Sequence, residues 1–540
     1  MKGGMMRVPL TVPRLLERAA TLFPGKGVVT ATEDGLVRSS WAEVHRRARG
    51  VSGVLSGLGV ARGARVASLA WNAHRHLELY FGVPASGAVL LTVNVRLSAD
   101  QVARILAHAE ADAVFADPEF TDLVDEAARS LPGLLRHKVV LGDDAPGGWM
   151  SYEALLATHA GLDPVADLDE DDAAGLCYTS GTTDEPKGVL YSHRAITLHT
   201  LGICLPDGFG LGEGDVILPA VPMFHANAWG LAHAAAMTGA TLVLPGSRPT
   251  PARVADLLES ERVTFAAGVP TVWMGVLDEV RARPRRLAPG LRIHSGGAPT
   301  APALLEAYRT ELGVEIVTGW GMTELTPVGM VTHPRGDMAA WAPEALLPVR
   351  TSQGTPLPLV EARVVDDAGV PVPWDGVTPG ELEVRGPWVT AGYFRSEAPD
   401  AFRDGWLRTG DVATRDAHGY VRLVDRTKDL IRSGGEWISS VQVEHALMDH
   451  PDVAEAAVVA VPDARWQERP WACVVPRPGT TPAPEAILAP LALRFPTWWV
   501  PDRVVFVDAV PRTSTGKFDK KALRAWLRDG GGEDPATGPS

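Results

Sequence analysis

Short apolar runs, several of them β-branched, recur through the first three fifths of the chain at residues 65–71, 113–116, 138–141, 216–219, 240–244, 263–268, 291–295 and 314–318. Many are separated by about ten to twenty-five residues of helical pattern, the spacing of strands joined by crossover helices. That alternation predicts βαβ units and parallel sheets. Ligands of such sheets sit beyond the carboxyl ends of the strands. A chain of 540 residues is also too long for one hydrophobic core, so two or more domains are expected. The opening stretch, residues 8–58, reads as helical, with Leu15, Leu16, Ala19, Ala20 and Phe23 at helix spacing. Ser40 followed three residues on by Glu43 resembles a capping box.

A second composition begins near Gly354. Pro356, Pro358, Pro371, Pro373 and Pro379 interrupt short runs at 362–365 and 381–384, which predicts a small β-rich subdomain over about 354–424. From Asp425 the pattern becomes a compact α+β unit, with a helix over 441–448 and strands over 455–461 and 472–476. The expected fold class is therefore α/β. A large N-terminal domain, 1–424, holds parallel or mixed sheets flanked by helices together with the β-rich subdomain. A small α+β C-terminal domain follows over 425–528, and a Gly/Pro/acid-rich tail, 529–540, is expected to be disordered.

Apolar residues at 46% and charged residues at 21% describe an ordinary globular protein. A net charge of −14 with no Lys/Arg run argues against nucleic-acid binding. Cys177, Cys204 and Cys473 are odd in number and widely spaced. They predict neither disulfides nor a zinc site, and fit a reducing compartment. No basic-then-apolar leader and no transmembrane segment are legible, so the expected location is cytoplasmic.

The stretch from Tyr178 to Val189, Tyr-Thr-Ser-Gly-Thr-Thr-Asp-Glu-Pro-Lys-Gly-Val, follows the end of a buried strand at Leu176, Cys177 and Tyr178. Its small and hydroxylated side chains let main-chain N–H groups and the hydroxyls of Thr179, Ser180, Thr182 and Thr183 close around an anion, with Gly181 leaving room. Lys187 adds a mobile positive charge. The pattern differs from the common nucleotide loop, G-x-x-x-x-G-K-[ST], because Pro186 precedes the lysine and Gly188 follows it. A P-loop NTPase is thereby disfavoured.

This stretch resembles the phosphate-binding signature of the adenylate-forming superfamily, which comprises acyl-CoA synthetases, luciferases and peptide-synthetase adenylation domains. The resemblance extends over almost the whole chain and is closest to medium- and long-chain fatty-acid–CoA ligases. It implies ATP, Mg2+ and coenzyme A as cofactors, and a fatty acid as the small-molecule carboxylic acid partner. It also implies a homodimer by analogy. The reaction implied is attack of a carboxylate on the α-phosphate of ATP, expelling pyrophosphate, followed by transfer of the acyl group to a thiol.

Within that resemblance the Lys187 loop would hold the β- and γ-phosphates. Gly319-Trp320-Gly321-Met322-Thr323-Glu324 matches the adenine and metal motif: Trp320 would cover adenine, Thr323 would touch the α-phosphate, and Glu324 with Thr179 would meet magnesium. Gly296-Gly297-Ala298-Pro299 would form the other side of the pocket, where glycine permits close backbone approach. Asp411, in Arg408-Thr409-Gly410-Asp411, would accept from both ribose hydroxyls. In Asp425-Arg426-Thr427-Lys428-Asp429, Asp425 would be the hinge of a mobile C-terminal domain. Arg426 would contact ribose, and Lys428 the adenylate region. Lys517, in Pro511-Arg512-Thr513-Ser514-Thr515-Gly516-Lys517, would bridge carboxylate and α-phosphate during adenylation. After rotation, the loop of Gly434, Gly435 and Trp437 would face the site for thioester formation. Val221-Pro222-Met223-Phe224-His225-Ala226-Asn227-Ala228-Trp229 resembles the acyl-channel motif, with His225 bordering the carboxylate and Trp229 as an aromatic gate.

One residue departs from the family: Asp184 stands where glycine is usual. A carboxylate about 4 Å from a phosphate charge costs roughly 4 kcal/mol at an effective dielectric near 20. Weakened ATP binding is the expected result, and tighter binding by Asp184→Gly is the test. The departure also leaves open other acids, aromatic or as small as nitrite, and transfer to an amine instead of CoA. A catalytically degenerate nucleotide-binding module is the reading from another class. Retention of Lys187, Glu324, Asp411 and Lys517 together argues against it.

Overall fold

In the computed structural model, residues 3–159, 167–179, 187–434, 436–513 and 518–531 are described. Ser180, Gly181, Thr182, Thr183, Asp184, Gly435, Lys517 and most of the C-terminal tail lie outside them.

Two largely parallel sheets carry the N-terminal part. One has seven strands in the order Met150–Ser151, His137–Val140, Ala111–Ala116, Arg65–Leu69, Val89–Thr92, Ala173–Tyr178 and Gly188–Ser192. Every neighbouring pair is parallel except the last, which turns back antiparallel. The strand Val89–Thr92 is buried at all four positions, as expected of a sheet covered on both faces. The other sheet has nine strands: Thr355–Pro356, Val328–Val331, Glu315–Gly321, Arg292–Ser295, Phe265–Gly268, Val216–Pro219, Thr241–Leu244, Gly27–Ala31 and Leu36–Ser40. Helices Val12–Leu22, Trp41–Gly57, His74–Ala85, His193–Cys204 and Leu231–Thr238 contribute to one apolar core that takes in strands of both sheets, from Val66 and Leu90 to Ile217 and Phe265.

The expectation of continuous helix over residues 8–58 is corrected. Between helices Val12–Leu22 and Trp41–Gly57 lies an antiparallel hairpin, Gly27–Ala31 with Leu36–Ser40. The β-branched run Val28-Val29-Thr30 and the turn at Gly35, whose φ is +135°, outweigh the apolar periodicity. The second helix does begin at Ser40, whose hydroxyl accepts from the Glu43 N–H at 3.2 Å.

Farther on, Glu361–Val365, Gly380–Arg385, Phe402–Arg403, Trp406–Arg415 and Val421–Arg426 form a five-stranded antiparallel sheet. The chain leaves its last strand directly for a second five-stranded sheet: Ile431–Ser433, Glu436–Ile438, Val453–Asp463, Gln467–Pro476 and Arg503–Phe506. Helices Ser440–Met448 and Pro484–Arg494 cover one apolar cluster of this C-terminal unit, and helix Lys520–Arg528 reaches another through Leu523.

Candidate active site

The antiparallel return from Ala173–Tyr178 to Gly188–Ser192 places both ends of the Ser/Thr/Gly loop at one point. The Thr179 N–H donates to the Lys187 carbonyl at 3.0 Å. From there Lys187 reaches over Tyr393, its Nζ 5.2 Å from the ring centroid. The Tyr393 hydroxyl donates to Glu324 Oε1 at 2.7 Å. Glu324 sits in the helical turn Thr323–Leu325, is 6% exposed, and gives its carbonyl to the Thr390 N–H at 2.8 Å. Burial pushes its carboxyl above the usual carboxylate range, while Tyr393, Arg426 and Lys187 act the other way. Tyr191 holds the same turn by donating to the Thr323 carbonyl at 2.6 Å.

A second chain of contacts joins the strand Glu315–Gly321 to the β-rich sheet. The buried Trp320 indole donates to Asp411 Oδ2 at 2.8 Å, and Arg426 Nε lies 2.7 Å from Asp411 Oδ1. Asp411 is 2% exposed. Each carboxylate oxygen thus already holds one donor and keeps one lone pair for another. Gly319 and Gly321 are required by crowding. A Cβ at Gly319 would lie 2.5 Å from His294 Cε1, and one at Gly321 would lie 2.2 Å from the Pro327 carbonyl oxygen.

The stretch 221–229 meets Gly296 and Gly297 through Trp229. Val221 is buried, His225 half-buried, and Ala226, Asn227, Ala228 and Trp229 form a left-handed turn with φ of 43°, 51°, 48° and 57°. Such backbone costs roughly 1–2 kcal/mol per non-glycine residue and persists only where packing enforces it. Here Trp229 is buried edge-on to His294, ring centroids 5.5 Å apart. A Cβ at Gly296 would lie 3.4 Å from its indole, and one at Gly297 3.6 Å. Ala298 is half-buried beside them. Burial drives the His294 imidazole down to about 3, so it is neutral at any physiological pH.

The structure therefore brings together Thr179 with Lys187, Lys187 with Glu324 through Tyr393, Trp320 with Asp411 and Arg426, and Trp229 with Gly296, Gly297 and Gly319 through His294. Gly434 and Trp437 form a separate patch on the C-terminal sheet. Gly434 has φ +63° and abuts Trp466; the exposed Trp437 lies under the Arg432 guanidinium at 4.2 Å. Lys428 is exposed between the two regions. Sequence reasoning missed Tyr393, Tyr191 and His294. The only signal for Tyr393 was its aromatic pair with Phe394 inside a Pro- and Gly-rich stretch.

Among the described residues, no group of three or more His, Cys, Asp and Glu side chains could hold a metal ion. A cation here would have to take most of its ligands from substrate phosphates and water. Magnesium does so, needing one or two protein oxygens.

Residues 16–394 match the AMP-binding enzyme family, and residues 442–517 match the AMP-binding enzyme C-terminal domain. The chain belongs to this family of AMP-binding enzymes. It is 48% identical to a long-chain-fatty-acid–CoA ligase of Thermus thermophilus over 96% of each chain. It is 44% identical to a 3-methylmercaptopropionyl-CoA ligase of Ruegeria pomeroyi over 98% of this chain and 99% of the relative. Its fold superposes on the crystal structure of the anthranilate CoA ligase AuaEII in complex with anthranoyl-AMP. That match has a TM-score of 0.87 at 27% identity, covering 98% of this chain and 99% of the other.

Proposed function

We infer that the chain is an ATP-dependent acid–CoA ligase that works through an acyl-adenylate, with a medium- or long-chain fatty acid as substrate. One observation carries the reading. A lysine at the end of a Ser/Thr/Gly stretch and a buried glutamate converge on Tyr393, while Trp320 on the strand Glu315–Gly321 meets Asp411 and Arg426 of the antiparallel sheet in one hydrogen-bonded row. The full-length likeness to fatty-acid–CoA ligases supports it.

In the first step a carboxylate oxygen of the acid attacks the α-phosphorus of ATP. The bond from that phosphorus to the α,β-bridging oxygen breaks, and pyrophosphate leaves. Lys187 neutralises the departing phosphates, and Lys517 lowers the repulsion between the two anions that must meet. Glu324 and Thr179 would hold magnesium, which when bound supplies positive charge to the phosphates. Asp411 and Arg426 orient the ribose, with Trp320 and Gly296 to Ala298 enclosing the base. In the second step the CoA sulfur attacks the acyl carbon, AMP leaves with the C–O electron pair, and the thiol proton passes to solvent. Gly434, Gly435 and Trp437 serve that step after the C-terminal domain, 425–528, turns about Asp425.

His225 borders the carboxylate and Trp229 closes the acyl channel. The mostly Ala and Gly stretch after Trp229 presents small side chains against which an aliphatic chain would pack, each buried methylene contributing about 0.8 kcal/mol. The buried, closed position of Trp229 favours a second reading, in which the channel ends at the indole and a short acid is taken. Pyrophosphate release across straight-chain acids of two to eighteen carbons, with and without CoA, tests both. Preference rising with length supports the fatty-acid reading, and a maximum at short acids supports the second. No acid-dependent release at all would refute ligase chemistry.

A further inference from the structure

Side chains on a strand alternate between its two faces. At the end of Val421–Arg426 this places two consecutive charges on opposite faces of the strand. Arg426 turns to Asp411 in the row just described, at 2.7 Å. Asp425, whose backbone still pairs with Val412 in the β-rich sheet, turns to the C-terminal unit. There its Oδ2 accepts from the Ser440 N–H at 2.7 Å and from the Ser440 hydroxyl. Ser440 is the first residue of helix Ser440–Met448.

Lys520, the first residue of helix Lys520–Arg528, completes the arrangement. Its ammonium donates to the same Ser440 hydroxyl at 2.6 Å and pairs with Glu444 at 2.7 Å. The side chains of Lys520 and Glu444 are only 10% and 7% exposed. Farther along the helix Arg524 pairs with Asp429 at 2.9 Å, just beyond the strand end. A buried cation is costly unless it is paired and hydrogen-bonded, and neutralising Glu444 would satisfy that need alone. The bond to Ser440 does something else: it links the lysine, through one hydroxyl, to a carboxylate whose backbone belongs to the other sheet.

We infer that Lys520 is a positioning residue for the passage between the two half-reactions. Through Ser440 it anchors the Asp425 carboxylate in the C-terminal unit, and so sets how readily that unit turns about the end of the strand. The inference rests on the two-step ligase reading above and adds to it a residue that touches no substrate. Turning about Asp425 must break the two bonds to Ser440, and Lys520 strengthens them by polarising the hydroxyl that makes one of them.

The test measures the half-reactions separately in the full-length enzyme: acid-dependent ATP–pyrophosphate exchange, and CoA-dependent consumption of supplied acyl-adenylate. In Lys520→Met the ratio of the two rates is expected to change by about tenfold or more. Lys520→Arg should return it to within about twofold of the parent. Equal loss in both half-reactions, or no change in either, overturns the inference. Since Lys520→Met leaves Glu444 unpaired, Lys520→Met with Glu444→Gln is measured beside it. This double variant should regain thermal stability and keep the altered ratio; a ratio restored together with stability would mean a structural role only and overturns the inference. Absence of exchange in the parent with every acid tried would instead refute the ligase reading, before any variant is compared.

Discussion

At Glu324 two opposing effects meet. Desolvation favours the neutral acid, whereas the Tyr393 hydroxyl and the nearby Lys187 and Arg426 favour the ion. Desolvation is the larger, so the folded carboxyl titrates above its ordinary value. In the proposed function this group holds magnesium, which it can do only when ionised, so activity is expected above the raised pKa and is expected to be lost as pH falls through it. Tyr393→Phe removes a hydrogen bond to a charged acceptor, worth about 1.5–3 kcal/mol, and raises that pKa further. The acid limb of kcat/KM should move to higher pH, with a loss of about tenfold or more at pH 6 that shrinks toward pH 9. A limb that stays in place would show that Glu324 need not be ionised. Lys187 was legible from the small, hydroxylated stretch it ends, whereas Glu324, Trp320, Asp411 and Arg426 were singled out through the resemblance of their short motifs to the family's. Tyr393 was not: it reaches Glu324 from 69 residues away along the chain, and nothing in its own neighbourhood announces the contact.

Among the elements, the strand Glu315–Gly321 does the most positioning. It is parallel to Arg292–Ser295 over its first four residues and antiparallel to Val328–Val331 over its last three. Gly319, Trp320 and Gly321 therefore sit at the point where the sheet changes sense. Gly319 sits there under His294. Gly319→Ala would put a methyl group 2.5 Å from the imidazole and 2.7 Å from the Met330 carbonyl oxygen. The backbone oxygen cannot move without breaking the strand pair. Overpacking of this kind costs about 1–3 kcal/mol. A lower melting temperature together with ATP–pyrophosphate exchange reduced about tenfold is the expected outcome; unaltered exchange would show that His294 can swing clear. Strand positions in this region were readable from apolar runs. The Gly27–Ala31 hairpin was not, because apolar residues inside a short β-branched run also satisfy a helical period.

For the whole molecule, the proposed function gives its two steps to two faces of one C-terminal domain, and under that reading damage to one face should spare the other step. On the same reading Lys517→Ala is expected to lose acid-dependent exchange by about a hundredfold or more, as removal of a charge acting in the first transition state alone would give. It should still convert supplied acyl-adenylate to the thioester with CoA. Parallel loss of both would mean that the lysine serves one composite site. The order of motifs, the alternation of strands with helices and the change of composition near Gly354 were open to reading, since each depends on residues close together in sequence. Periodicity also sufficed to foresee the α/β architecture. Folding alone settled which distant side chains meet: Tyr393 under Lys187, Trp320 on Asp411, and Lys520 joined through Ser440 to Asp425. Contacts of that kind form when separate sheets and helices bury their faces together, and no short-range pattern records them.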